Sequence, residues 1–127
     1  MGRHEITPST RLSQLVELFR DAAGHLHRDT EATLQRHGKA LIQRQMLMAR
    51  LADMAIDAFG MAAVLSRLES LADDAEALSR ALVLAEPYFY QAAARFERNR
   101  EALVRNDDAA LVKAARLAYE RGGYPLG

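Results

Sequence analysis

Apolar residues recur along this chain every three to four positions and almost nowhere every two, a spacing that predicts helices throughout and no strand. The first stripe, Leu12, Leu15, Val16, Phe19, Ala22, Ala23 and Leu26, begins behind Pro8, with Ser9 or Thr10 as the start signal. It weakens through Thr30, Thr33 and Leu34 and stops at His37 and Gly38, a glycine behind a basic turn that reads as a helix end. The pattern resumes at Lys39 and runs to about Leu71, where Asp73 and Asp74 offer a capping residue and an acidic first turn. A third helix is predicted from Ala75 to Arg105, with a kink near Leu84 because Pro87 removes a backbone donor. Asn106 and Asp107 mark the next break. A shorter helix follows through Leu111, Val112, Ala115, Leu117 and Ala118, ended by Gly122 and Gly123 ahead of an extended tail from Tyr124 to Gly127. Helices at about 9–37, 39–71, 74–105 and 108–121 predict one all-α domain over residues 1–127, an up-down-up-down four-helix bundle.

The second helix carries the most information. In RLADMAIDAFGMAAVLSR, Arg50 to Arg67, charges interrupt a helix that is otherwise apolar nearly all round, which predicts a central position with its charges paired. Arg50, Asp53 and Asp57 fall within about 60° of one another at 100° per residue. Two aspartates one turn apart repel unless cations intervene. A structural ion-pair network of Arg50, Asp53, Asp57 and, from the facing helix, Arg95 is therefore expected, in preference to a ligand or proton site. The methionines Met46, Met48, Met54 and Met61 read as core filling, the rival being a groove for an acyl chain or a partner helix.

The same run resembles a known family. RLADxAIDxxxMxxVLSR is similar to the C-terminal helical domain of very-long-chain-type acyl-CoA dehydrogenases, the segment that follows their flavin-binding core. QAAARFERNREAL, Gln91 to Leu103, resembles a later helix of that domain, and ERGG with PLG, Glu120 to Gly127, resembles its chain end. The likeness is strongest over about the last ninety residues. It implies a non-catalytic accessory domain that packs beside the dehydrogenase core of the same polypeptide and serves subunit assembly or contact with a membrane or partner. The intact enzyme would oxidise acyl-CoA at the α,β positions with FAD, in fatty-acid β-oxidation. FAD, acyl-CoA and the catalytic glutamate belong mainly to the core in that family, no position here matches that base, and no cofactor is expected in this segment. The alternative is a free-standing helical interaction module, a homodimer descended from such a domain.

Composition narrows the picture further. At 127 residues the chain suits one domain and has no room for a dehydrogenase core as well. Half of the residues are hydrophobic, yet no stretch of about 18 apolar residues occurs, so no transmembrane helix is expected, while peripheral membrane contact stays open. The start, MGRHEITPSTRL, lacks the apolar segment of a secretory signal. Lys and Arg together number 17, as do Asp and Glu, and that balance argues against nucleic acid as a partner. No cysteine is present, which excludes disulfides, thiolate metal sites and cysteine nucleophiles. Lys39 and Lys113 are the only lysines; arginine and alanine in such excess suggest a GC-rich bacterial genome, and with no export signal read at the start a bacterial cytoplasmic protein is expected.

Candidate chemistry is sparse. Di-iron bundles need Glu-x-x-His, and no glutamate here has a histidine three residues on. His25 and His27 are two apart and cannot share a helix face, and His37 stands near a helix end, so no metal is expected. Ser66 has no histidine within a turn, and Gly122-Gly123 follows a helix where a phosphate loop would precede one. No catalytic, cofactor-binding or metal-binding residue is assigned. Tyr88, Phe89 and Tyr90 are distinctive because three successive helical residues span about 200°, more than a bundle helix buries. At least one must face outward, which makes the trio a candidate docking patch for a homo-oligomer or another partner.

Overall fold

A computed structural model describes residues 6–41 and 44–121; the predicted C-terminal tail and the Gly122-Gly123 helix end lie outside the described residues. The fold is all-α, with four helices in the predicted order: α1 (Pro8–His37), α2 (Gln45–Glu69), α3 (Ala75–Ala102) and α4 (Asp108–Glu120). A short 3₁₀ turn, Gly38–Leu41, lies between α1 and α2.

Local chemistry accounts for the helix ends. Pro8 sits in the first turn of α1, where its missing N–H costs nothing, and the Thr7 hydroxyl accepts the Thr10 N–H at 3.2 Å. At the other end Gly38 adopts φ 52°, a conformation open to glycine, while its N–H donates to the Leu34 carbonyl. The 3₁₀ turn that follows delays α2 to Gln45, six residues later than the periodicity alone indicates. No Ser, Thr, Asp or Asn lies between Lys39 and Arg44 to mark that start, and the N-cap Arg44 makes no side-chain cap bond. Asp74 caps α3 by accepting the Ala77 N–H at 3.1 Å. Asn106 closes α3 by donating to the Ala102 carbonyl at 2.7 Å and then accepts the Asp108 N–H at 3.1 Å, so one side chain ends one helix and starts the next. Pro87 lies inside uninterrupted α3; it and Val83 are exposed, so the Val83 carbonyl that Pro87 leaves unbonded has access to water.

Helices α1, α2 and α3 pack around Leu15, Met54, Met61, Leu68, Leu78, Leu82 and Phe89, all fully buried. Each such side chain contributes about 1.5–3 kcal/mol of transfer free energy. Met54 and Met61 thus fill the core, whereas Met46 and Met48 face solvent. Ion pairs show that α1 and α3 run parallel: Arg11 bonds Glu86 near one end, and Asp29 bonds Arg100 near the other. The short helix α4 behaves differently, because none of its residues is buried. Helix α2 is not enclosed on all sides either, contrary to the central position that its all-round apolar character predicts. Ile56 is 66 % exposed and Phe59 is 77 % exposed, because three helices leave each one an outer face.

Candidate functional site

Among the described residues no cluster of His, Asp and Glu is arranged to hold a metal ion, and no helix is long and apolar enough to cross a membrane. The features that stand out are the ion pairs that join helices and the apolar surfaces left outside them.

Of the four residues of the expected network, the fold brings together two. Asp57, 7 % exposed, accepts from Arg95 Nε at 3.2 Å and from Arg95 Nη2 at 3.0 Å, linking α2 to α3. The Arg95 side chain is itself 44 % exposed, so the pair has one dry partner and one wet one. Arg50 does not join them. It makes a two-pronged bond to Asp108 at the start of α4, 2.5 and 2.7 Å long. A helical side chain leans toward its own N-terminus, so Arg50 reaches back to the end of the bundle where α4 begins, away from Asp57 two turns ahead. Asp53 faces solvent and makes no ion pair among the described residues. The expected four-membered network is therefore corrected to two separate pairs, with Asp108 as the member that sequence reasoning missed.

The Arg50–Asp108 bond has an electrostatic signature. Hydrogen bonds from Arg50 hold the Asp108 carboxyl below the usual aspartate range, outweighing partial desolvation, with the charges of Arg50 and Arg44 adding to the effect. The same bonds raise Arg50. Arg11 is likewise raised, first by its hydrogen bond to Glu86. The Arg11–Glu86 and Arg100–Asp29 pairs also escaped sequence reasoning, since residues 71 and 75 positions apart carry no mutual signal until the helices are registered.

The aromatic trio divides three ways. Phe89 is fully buried, Tyr90 is 53 % exposed, and Tyr88 packs at the edge of the core against Gly60 of α2. Exposed apolar side chains gather elsewhere as well. On α4, Leu111, Val112 and Tyr119 are 55, 48 and 83 % exposed. Where α2 and α4 begin, a groove of about 680 Å³ opens between Arg36, His37, Arg44, Met46, Leu103 and Val112. Among the described residues the arrangement offers surfaces for contact and no assembled nucleophile or acid–base pair.

Comparison with known proteins gives this surface a context. The family model described as "ACAD9/ACADV, C-terminal domain" matches residues 10–123. The very long-chain specific acyl-CoA dehydrogenase, mitochondrial, of Bos taurus is 38% identical over 93 residues, 72% of this chain and 14% of that protein. The protein of the same name from Rattus norvegicus is 34% identical over 96 residues, 75% of this chain and 15% of that protein. The chain thus spans about one seventh of the length of these relatives. No solved structure gives a significant match. A match that runs from the first turn of α1 to beyond α4 shows that the chain belongs to the ACAD9/ACADV C-terminal domain family.

Proposed function

We propose that this chain is a non-catalytic accessory domain of a flavin-dependent acyl-CoA dehydrogenase of fatty-acid β-oxidation, and that its work is to dock against the dehydrogenase core and support subunit assembly. The observation that carries this reading is α4, a helix of 13 residues with none buried. At 100° per residue, Leu111, Val112, Ala115, Ala118 and Tyr119 gather within about 120° on one side, the width of a stripe meant for burial. FAD and acyl-CoA belong, on this reading, to the core, and the arginine-rich composition favours a bacterial source.

The test is direct binding between this chain and a separately produced dehydrogenase core of the same enzyme, followed by calorimetry. Wild type should bind, and Leu111→Asp with Tyr119→Asp should abolish binding while leaving helicity unchanged. The purified chain should also be colourless and support no acyl-CoA-dependent dye reduction. Binding that ignores the α4 substitutions, or a yellow flavin spectrum from this chain alone, would overturn the reading.

A further inference from the structure

The outer face of α2 has a regularity that docking through α4 does not use. Ala49, Ala52, Ile56, Phe59, Ala63 and Ser66 are all exposed, and their spacings are three, four, three, four and three. This is the heptad seam of a coiled coil, in which a period of 3.5 keeps one stripe against a partner helix crossing at about 20°. No charged residue interrupts it. The two large side chains sit at its centre and small ones flank them.

We propose that this seam pairs with the same seam of a second copy of the chain, in antiparallel orientation about a two-fold axis between Ile56 and Phe59. That register sets Ile56 against Phe59 of the second copy and Phe59 against its Ile56, with Ala52 against its Ala63 and Ala49 against its Ser66. Large side chains meet at the centre, and the alanine layers on either side let the backbones approach closely.

Charge complementarity fixes the orientation. Asp53 and Arg67 flank the seam on one side, both are exposed, and neither makes an ion pair among the described residues. In an antiparallel coiled coil the residues flanking the same side of each helix meet one another, which brings Arg67 of one copy toward Asp53 of the other. The Arg67 side chain leans toward its own helix N-terminus, the direction in which Asp53 of the second copy lies. Gly60 stands between them on that flank, with the Tyr88 hydroxyl of α3 seated on it, so the Arg67 side chain has to reach across that tyrosine. A parallel pairing sets Asp53 beside uncharged Met48 and forgoes both ion pairs; antiparallel helix dipoles also favour the first arrangement. The proposal rests on residues of α2 alone and stands apart from the docking of α4.

Sedimentation equilibrium of the purified chain tests it. Wild type should be a dimer at the highest soluble concentration, and Phe59→Asp should raise the dissociation constant about tenfold or more. Asp53→Arg should weaken the dimer, and adding Arg67→Asp to the same chain should restore it. Because the chain has no cysteine, orientation can be read by cross-linking. Positions 52 and 63 lie about 16 Å apart on one helix, too far for a bond within one chain. Ala52→Cys with Ala63→Cys should therefore oxidise to a covalent dimer, and each single variant should not. A monomer at all concentrations, a dimer indifferent to Phe59→Asp, or a covalent dimer from Ala52→Cys alone would overturn the proposal. A dimer dissolved by Leu111→Asp and untouched by Phe59→Asp would do the same, while leaving the role of α4 intact.

Discussion

A Cβ atom added to Gly60 would stand 2.0 Å from the Tyr88 hydroxyl oxygen and 3.3 Å from the Tyr88 ring carbon that bears it. The glycine in mid-helix is thus the seat of a tyrosine from α3, and the contact sets how closely α2 and α3 approach. Replacing a mid-helix glycine by alanine ordinarily gains about 0.5–1 kcal/mol. Here the added methyl displaces Tyr88, and overpacking of this kind costs about 1–3 kcal/mol. Gly60→Ala should lower stability by about 1 kcal/mol net. In a Tyr88→Ala background the same change should become stabilising. Urea unfolding of the four proteins of this cycle measures the coupling, and additivity would show that the contact carries no energy.

Asp57 and Arg95 should respond unequally to truncation. Arg95→Ala leaves a buried carboxylate without its partner, which costs about 3 kcal/mol. Asp57→Ala leaves an arginine that already reaches water, and that costs about 1 kcal/mol, as a partly exposed pair should. Equal losses in denaturant midpoint would mean that Asp57 is better hydrated than its 7 % exposure indicates.

The aromatic trio supplies a third contrast. Phe89 is fully buried, so Phe89→Ala should cost about 3–5 kcal/mol through lost transfer energy and the cavity left behind. Tyr90→Ser, at a half-exposed position, should stay within about 0.5 kcal/mol of wild type. Thermal unfolding of both variants decides the matter, and a large loss at Tyr90 would contradict its exposed placement.

Attachment of α4 should depend on acid. Asp108 has a lowered pKa in the folded chain, so the ionised form is the one the fold favours. Its stabilising contribution is fully present above the unfolded aspartate value, about 3.9, and is lost as pH falls through the lower folded value. The protection factor of amides in the second turn of α4 should be constant between about pH 5 and 8, then fall below about pH 4. Asp108→Asn should show the weakened protection already at neutral pH. An unchanged protection factor in that variant would show that Arg50 does not hold α4.

Much of this architecture is readable from spacing alone. The apolar stripe from Leu12 to Leu26, the Asp74 cap and the break at Asn106 are local signals, and local signals determine where helices begin and end. The start of α2 is hidden because no capping side chain marks it, and Gly38 with the 3₁₀ turn consumes residues that periodicity assigns to the helix. The partner of Arg50 is hidden for a different reason: Asp108 lies 58 positions away, and only the lean of the arginine toward the α2 N-terminus selects it over Asp53 and Asp57. Exposure of Ile56 and Phe59 defeats the pattern as well. A stripe wide enough to bury all round looks the same whether its outer side meets another helix of the chain or another molecule.

The distribution of arginine clamps has a mechanical consequence. Helices α1 and α3 are fastened at two points more than 20 Å apart along their axes, Arg11 to Glu86 and Asp29 to Arg100, so sliding by one turn of about 5.4 Å breaks both together. Two pins remove translation and rotation alike. Helix α4 has a single pin, Arg50 to Asp108, and buries no side chain beyond it. Swinging about that pin sacrifices no core packing, so the tilt of α4 is the one adjustable angle among the described helices, and a receiving surface can set it while the α1–α3 frame stays rigid.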